Sequence, residues 1–438
     1  MAGLTLDSDV SRLLVERVVF MLKGLHESEK IAKHGFESTS WRSQLRGFCC
    51  ALEIIVGHEG TNKILALVHE KTSRNLGESL ADELMERAFA QVEQVKLNRS
   101  GYLHVVLGQY DKALVEGLTA LKQNPTSSRC YAFLIHCYIY LNRLREAQAL
   151  IEEADLKDID SGGLHLCSYL LAFLNRDLAG MEKQVAWGMD KPGVEDAMFS
   201  LEASTQAFFG RLSAARDFSR RAVNSAEQLG ESELAARYQV DVALRAALFG
   251  NTIETRPLTE SALGLWDDGH IKYRVALALA LAGDAANAES LIEDFDTRLA
   301  EETVVRYNYL PTLIAQLALC RNDAFKAIEA LVPALPYELG DLGKTALYPV
   351  LVRGEAFLAA HQGKEAAGEF RKILAHPGIT LNGPIGIRGR VGLARAYAVL
   401  GDSLKAKMAY QDFLTLWKDA DPDIPILTQA KAEYAKLQ

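Results

Sequence analysis

Apolar and polar positions follow a pattern along most of this chain that repeats about every 34 residues. In each copy a small residue is followed by a turn former, then by Ala, and then by two further apolar residues at helical spacing. Such spacing places an apolar stripe along each of two successive helices. The pattern therefore predicts antiparallel helical hairpins, with one hairpin in each copy.

The clearest copy is GDSLKAKMAY at 401–410, which is followed by Phe413. Further copies lie around Gly108–Ala113, Tyr131–Ala147, Gly210–Ala215, Gly283–Ala288, Asn322–Ala327 and Gly354–Phe370. Those near 161–195 and 236–268 are degenerate. We count about nine copies between residues 94 and 420. Five good copies in phase are too many to arise by chance in an Ala-rich helical protein.

Each position of the copy has a physical role. Small residues allow the two helices of a hairpin to approach closely, and larger residues fill the space between hairpins. Gly or Asn between the helices supplies the left-handed residue that ends the first helix, and Pro near the end of a copy stops the second helix.

These features are those of the tetratricopeptide repeat (TPR), and the predicted fold class is an all-α, right-handed α-solenoid. Since one hairpin cannot bury its apolar face alone, the copies must stack, and we expect a long curved wall. The predicted solenoid covers residues 94–438, with longer loops at 336–344 and 376–388. An amphipathic segment at 423–437 is predicted to be a C-terminal capping helix.

Residues 1–93 are also predicted to be helical, but out of phase with the repeats. They form either an N-terminal cap of degenerate repeats or a small helical domain docked on the solenoid. A helix-turn-helix is disfavoured because this segment has no excess of basic residues.

Composition narrows the function classes. The chain has 48 Lys and Arg against 57 Asp and Glu, a net charge of -9, which disfavours nucleic acid as a partner. No apolar run is long enough for a membrane span, and no secretory signal is visible. The six Cys match neither a disulfide framework nor a zinc site, so we expect a cytoplasmic protein that holds no metal and no cofactor.

Sequence signatures of catalysis are missing. His26, His58 and His69 are each followed by Glu, as in zinc proteases, but none has a second His four residues later. Gly343-Lys344-Thr345 resembles the end of a phosphate-binding loop, yet Glu338 stands where the first Gly is required. We therefore predict that the protein is not an enzyme.

A partner is expected on the concave surface, which the first helix of each TPR hairpin lines. Tyr, His and Arg suit peptide recognition because they bury area while keeping a polar tip. The repeat register places the following candidates in this groove: Arg99, Tyr102, His136, Tyr140, His165, Tyr169, Tyr273, Arg274, Tyr309 and Arg395. The alternative for each is packing between neighbouring repeats.

From about Arg99 to its end the chain resembles the TPR regions of acidobacterial proteins, which often follow a Ser/Thr kinase or a winged-helix domain. The resemblance rests on NYLPTL (308–313), PYELG (336–340), VRGEAF (352–357), EFRKIL (369–374), NGPIG (382–386) and WKDADPDIPIL (417–427). Neither the kinase nor the winged helix is recognisable in residues 1–93. The resemblance implies a bacterial TPR protein and carries over no catalytic residue.

The sequence thus predicts a non-catalytic scaffold that binds a peptide or protein partner on its concave face. The alternative is a peptide-sensing regulator, in which ligand binding changes the pitch of the solenoid.

Overall fold

The computed structural model describes residues 101–298, 303–340 and 345–437, and for 293–298 the backbone alone. The helices predicted within 1–93 lie outside the described residues, as does Arg99. Within the described ranges the regular structure is entirely helical, which confirms the all-α prediction. In chain order the helices are α1 (Tyr110–Gln123), α2 (Ser128–Tyr140), α3 (Leu144–Leu156), α4 (Gly162–Asn175), α5 (Leu178–Gly188), α6 (Glu195–Phe208), α7 (Leu212–Gln228), α8 (Ser232–Leu248), α9 (Thr252–Leu265), α10 (Gly269–Leu281), α11 (Ala285–Arg298), α12 (Leu310–Cys320), α13 (Ala324–Ala330), α14 (Tyr348–Ala359), α15 (Gly363–Leu374), α16 (Pro377–Thr380), α17 (Pro384–Val399), α18 (Ser403–Leu416) and α19 (Pro425–Ala435). A π-helical turn at Val305–Tyr309 precedes α12, and a 3-10 turn at Val332–Ala334 follows α13.

The helices pair into antiparallel hairpins, as the repeat pattern predicts. The first helices, here called A helices, are α2, α4, α6, α8, α10, α12, α14 and α17, and each packs against the helix that follows it, α16 being a short insertion before α17. A helical segment at 101–106 precedes α1. The degenerate copies around 161–195 and 236–268 also form hairpins, α4 with α5 and α8 with α9.

Short polar side chains begin several of these helices. Ser127 accepts a hydrogen bond from the backbone N–H of Cys130 at 3.4 Å, and Asp268 accepts one from Ile271 at 2.8 Å. Asp402 does the same for Lys405 at 3.1 Å. Each cap satisfies a backbone donor that the first turn leaves without a partner.

The turns within hairpins use the residues that the repeat pattern singled out. Gly108 and Gly401 have φ of 71° and 81°, and Asn142 and Asn322 have φ of 56° and 59°. These values lie in the left-handed region, where Gly has no steric penalty and Asn is tolerated. The predicted left-handed turn between the two helices is confirmed.

The repeated Ala lies where the helices of a hairpin approach each other. The members of this set are fully or almost fully buried, and they are Ala113, Ala147, Ala215, Ala288, Ala327, Ala366 and Ala406. A larger side chain at these places would force the helices apart. The burial of these residues agrees with the role that the pattern predicts for them.

The wall of hairpins does not stay open, which the repeat pattern did not predict. The short helix α16 packs against α2, and α17 packs against α6 and α8. A hydrogen bond from the indole N–H of Trp417 reaches the carbonyl oxygen of Phe208 at 2.9 Å. The C-terminal hairpins thus return to the inner side of the N-terminal ones.

Three further contacts join the same distant parts of the chain. The backbone N–H of Asp421 donates to the oxygen of Gly210 at 3.0 Å, and its carboxylate accepts from the N–H of Ser213 at 2.8 Å. The N–H of Ile426 donates to Phe249 O at 3.2 Å. The last hairpin and α19 therefore rest on the turns that follow α6 and α8.

One apolar core runs through these contacts. Its buried members come from early, middle and late hairpins alike, for example Leu134, Ala207, Tyr273, Phe370 and Ala430. In an open solenoid each repeat contacts its neighbours alone. The shared core shows that the hairpins of 102–437 act as one packed unit.

Helices begin at prolines in two segments that the sequence predicted as a loop and as a cap. The predicted loop at 376–388 is wrong: it contains α16, and α17 begins at Pro384 because a proline is well suited to the first turn of a helix. The segment predicted as a capping helix contains α19, which starts at another such proline, Pro425.

Candidate functional site

The return of the C-terminal hairpins encloses a cavity of about 210 Å³ on the inner side of the solenoid, here called the inner cavity. A helices supply most of its wall, and segments 346–348 and 379–385 close it. The lining residues are His136, Tyr140, Leu170, Leu201, Ser204, Asp241, Leu244, Arg245, Arg274, Ala346, Tyr348, Ile379, Thr380, Leu381, Asn382, Gly383, Pro384 and Ile385.

Two arginines and one aspartate carry the charge of this wall. Arg274 on α10 forms a buried ion pair with Asp241 on α8, with 6% and 15% of the side chains exposed. Arg245, one turn beyond Asp241, donates from one terminal nitrogen to Ala203 O and to Ser219 Oγ, both at 3.4 Å. Burial lowers the pKa of Arg245 to about 10, against the opposing effect of Asp241. The guanidinium still carries its charge at neutral pH.

His136 and Cys167 form a second polar contact beside the cavity. The Nδ1 of His136 lies 2.9 Å from Ala132 O and 3.2 Å from the sulfur of Cys167. Burial raises the pKa of the Cys167 thiol far above its ordinary value. Because the thiolate is the nucleophilic form, this Cys–His pair is not an activated nucleophile.

The segments that close the cavity have unusual backbone conformations. Leu381 has φ 46° and ψ -134°, and Leu347 has φ 66° and ψ 0°. A side chain with a Cβ is strained in these regions. The side chain of Asn382 holds the segment 379–385 in place through hydrogen bonds to Leu201 O and Thr205 Oγ1, both of 3.0 Å.

Three of the predicted groove residues are buried between helices. Tyr169 is fully buried, and its hydroxyl donates to Glu202 at 2.6 Å and lies within hydrogen-bond distance of Thr205 Oγ1, at 2.8 Å. Tyr273 and Tyr309 stack with ring centroids 3.6 Å apart. These side chains occupy the packing positions that were the alternative for each candidate.

Two other candidates contact neighbouring elements. His165 stacks on Trp187 at 3.4 Å and contacts Asp160 at 2.8 Å. Arg395 pairs with Glu433 of α19 at 3.0 Å, which joins the last A helix to the final helix.

The remaining candidates are divided between the outside and the inner cavity. Tyr102 is about half exposed. His136, Tyr140 and Arg274 meet at the inner cavity, although they come from the first and fifth A helices. Partner binding at all ten residues stays a prediction.

Sequence reasoning missed Asp241, Arg245 and Asn382. A signal was present for the first two, because they are oppositely charged residues one turn apart on a helix that also carries buried apolar residues such as Val240 and Leu244. The degenerate register of this copy concealed it. Asn382 offered no such signal, since its partners are far away in sequence.

Two classes of site find no support in the described part of the chain. Within it, no group of three or more His, Cys, Asp or Glu side chains is placed to hold a metal ion. None of its helices is long and apolar enough to cross a membrane.

Comparisons with known proteins give weak similarities to solved structures. No family model and no curated protein matches the chain. The crystal structure of yeast Tom70 aligns with 85% of this chain and 94% of its own, at 13% identity and a TM-score of 0.37. The APC/C hetero-tetramer Cut9-Hcn1 aligns with 78% of this chain and 76% of its own, at 13% identity and a TM-score of 0.35.

Proposed function

We propose that this chain is a non-catalytic scaffold that binds a peptide or protein partner on the inner, concave face of its helical hairpins. The supporting observation is the position of Tyr140. It lines the inner cavity and also a groove of about 490 Å³, whose other walls include Tyr110, Lys112, Leu339 and His376. An aromatic side chain between two concave surfaces can anchor a partner with little loss of entropy.

The groove, here called the Tyr140 groove, has the mixed character that peptide recognition requires. The ring of Tyr140 packs against that of Tyr110, with centroids 4.8 Å apart. Asp111 and Lys112 supply charges of both signs at its rim. Aromatic area next to polar groups allows tight contact and hydrogen bonding to a peptide backbone.

The absence of catalysis is supported by the state of the buried reactive groups. Burial raises the pKa of Cys137 to about 12 and that of Cys167 still further. Tyr238 donates to Asp196 at 2.8 Å, and burial raises the pKa of its hydroxyl. These groups hold their protons at neutral pH and serve packing.

The alternative of a peptide-sensing regulator would require the solenoid to change pitch. Such a change would break the bonds from Trp417 to Phe208 and from Ile426 to Phe249, within a shared core. We therefore favour a fixed scaffold, and we expect small-angle scattering to give the same radius of gyration with and without a bound partner. Cytoplasmic localisation stays a prediction from the sequence.

A direct test uses the immobilised full chain to capture partners, with Tyr140→Ala as the test variant. Tyr434→Ala on α19 is the matched control, because that tyrosine is also partly buried but lies away from the groove. We expect a partner that the wild type and the control retain and Tyr140→Ala loses. Retention of every partner by a folded Tyr140→Ala variant, checked by circular dichroism, would contradict the groove assignment. Tyr273 is unsuitable for this test because it is fully buried.

A further inference from the structure

We propose that the inner cavity binds a small organic monoanion, a carboxylate with a short apolar tail. This site shares Tyr140 with the Tyr140 groove, and its other lining residues differ from those of the groove. The proposal goes beyond the scaffold function and does not depend on it.

The charge balance of the wall is the first argument. Its lining contains two guanidinium groups, of Arg245 and Arg274, and one carboxylate, of Asp241, which leaves one positive charge in excess. Both arginines are more than nine-tenths buried. A buried charge without a counterion is costly. One negative charge in the cavity would balance the wall, so the ligand is a monoanion.

The hydrogen bonds of the two arginines are the second argument. The Nε of Arg274 is buried and has no hydrogen-bond partner among the described residues. Arg245 makes its two bonds to Ala203 and Ser219 at the long distance of 3.4 Å. Guanidinium groups bind carboxylates through charge-assisted bonds that are shorter and stronger than these. A carboxylate head between the two side chains would supply the acceptors that the protein does not.

The size and remaining lining of the cavity define the tail. At about 30 Å³ for each non-hydrogen atom, a volume of 210 Å³ holds about seven such atoms. Leu170, Leu201, Leu244, Ile379 and Ile385 supply apolar surface to the wall, beside polar side chains such as those of Ser204 and Thr380. A carboxylate group attached to a chain of a few carbon atoms fills this space and buries its tail.

Pentanoate and its neutral isostere pentanamide are the probes. They have the same size and tail and differ in charge, so their comparison isolates the role of the arginines. With the full chain at neutral pH, isothermal titration calorimetry should give pentanoate an affinity at least about tenfold higher than pentanamide, since bonds to a charged acceptor are the stronger ones. Equal affinities, or no binding by any linear carboxylate from propanoate to octanoate, would overturn the proposal.

Two variants with opposite expected effects locate the site. Arg245→Gln removes one positive charge and should weaken pentanoate at least about tenfold, with pentanamide almost unchanged. Asp241→Asn removes the carboxylate, raises the excess positive charge, and should strengthen pentanoate several-fold. The control is Arg216→Gln, whose guanidinium is about half exposed and pairs with Glu254 at 3.1 Å on the outside.

The pair of variants keeps the test decisive if one of them folds poorly. Unchanged pentanoate affinity in a folded Arg245→Gln, or weaker binding in a folded Asp241→Asn, would contradict the site. Failure of this test leaves the partner capture at Tyr140 untouched, because that experiment uses no carboxylate.

Discussion

The indole N–H of Trp417 donates a hydrogen bond of 2.9 Å to the carbonyl oxygen of Phe208, a residue 209 positions earlier in the chain. Only 2% of Trp417 is exposed, and its ring packs edge-on against Phe249 with centroids 5.3 Å apart. This contact holds the last hairpin on the turns of the middle ones. It turns a row of hairpins into a closed unit.

Trp417→Phe removes this hydrogen bond while keeping an aromatic ring in the core. We expect the free energy of unfolding to fall by about 1 kcal/mol from the lost bond, with a further loss from the smaller ring. Urea denaturation followed by circular dichroism measures it. Trp266→Phe is the control, because Trp266 is about two-fifths exposed and its hydrogen bond to Asp268, a residue nearby in sequence, lies at the surface. Equal effects of the two substitutions would contradict a structural role for the long-range bond.

Gly378 lies where α16 touches α2, and a Cβ at this position would be 1.8 Å from the carbonyl oxygen of Ile139. Since backbone atoms cannot move aside easily, we expect Gly378→Ala to lower the free energy of unfolding by about 2 kcal/mol or more. Gly368→Ala on α15 is the matched control, because a Cβ there meets nothing within 4 Å. That control should stabilise the protein by about 0.5–1 kcal/mol, since Ala favours a helix. Thermal unfolding of both variants should show a loss of stability for Gly378→Ala and a gain for Gly368→Ala. A gain for Gly378→Ala would mean that α16 does not contact α2.

Glu338 and Arg353 form a buried ion pair at 2.6 Å, and Lys372 also contacts Glu338. Glu338→Gln removes the carboxylate between two positive groups and leaves Arg353 with Glu369 alone. Breaking a buried pair costs about 3 kcal/mol, and we expect a loss of that order in chemical denaturation.

The control for this pair is Glu254→Gln, whose partner Arg216 is about half exposed. Exposed pairs contribute less than about 1 kcal/mol because water screens them. If Glu338→Gln lowered the free energy of unfolding no more than this control does, the ion pairs around Arg353 would not stabilise the segment 336–340.

The buried thiol of Cys137 should make the free energy of unfolding fall in alkaline solution. Burial raises the pKa of its thiol from 9.0 to about 12. Between these values the unfolded chain loses a proton that the folded chain keeps, so the unfolded state is favoured as the pH rises. The stability due to this group is complete below about pH 9 and is lost as the pH rises towards 12.

The test compares wild type with Cys137→Ala in urea at about pH 8 and at about pH 10. Removal of the thiol costs packing energy at both values, but at the higher pH the wild type has also lost about 1.4 kcal/mol. The difference in stability between the two proteins should therefore shrink by this amount. A difference that is the same at both pH values would show that the Cys137 thiol titrates normally in the folded protein.

The sequence determined the hairpins, because their causes are local. A repeated Ala at each close approach, Gly or Asn in each left-handed turn, and Ser or Asp at the helix starts act within one copy of the repeat. The structure has buried Ala215 and Ala406 and left-handed Gly401 and Asn142 where the pattern required them. The candidates at the inner surface could be predicted only in part: Tyr140 and Arg274 line the inner cavity, whereas Tyr169 and Tyr273 pack between helices.

Tertiary structure alone decided that the row of hairpins closes and encloses a charged cavity. In helical-repeat proteins the rotation from one repeat to the next is small. Because it depends on every packed side chain, the sequence of one copy does not reveal the rotation summed over many copies. Contacts such as Asn382 with Leu201 or Asp421 with Gly210 join residues whose separation has no periodic relation to the repeat. Arg274, Asp241 and Arg245 line a cavity only because the last hairpins pack against the first ones.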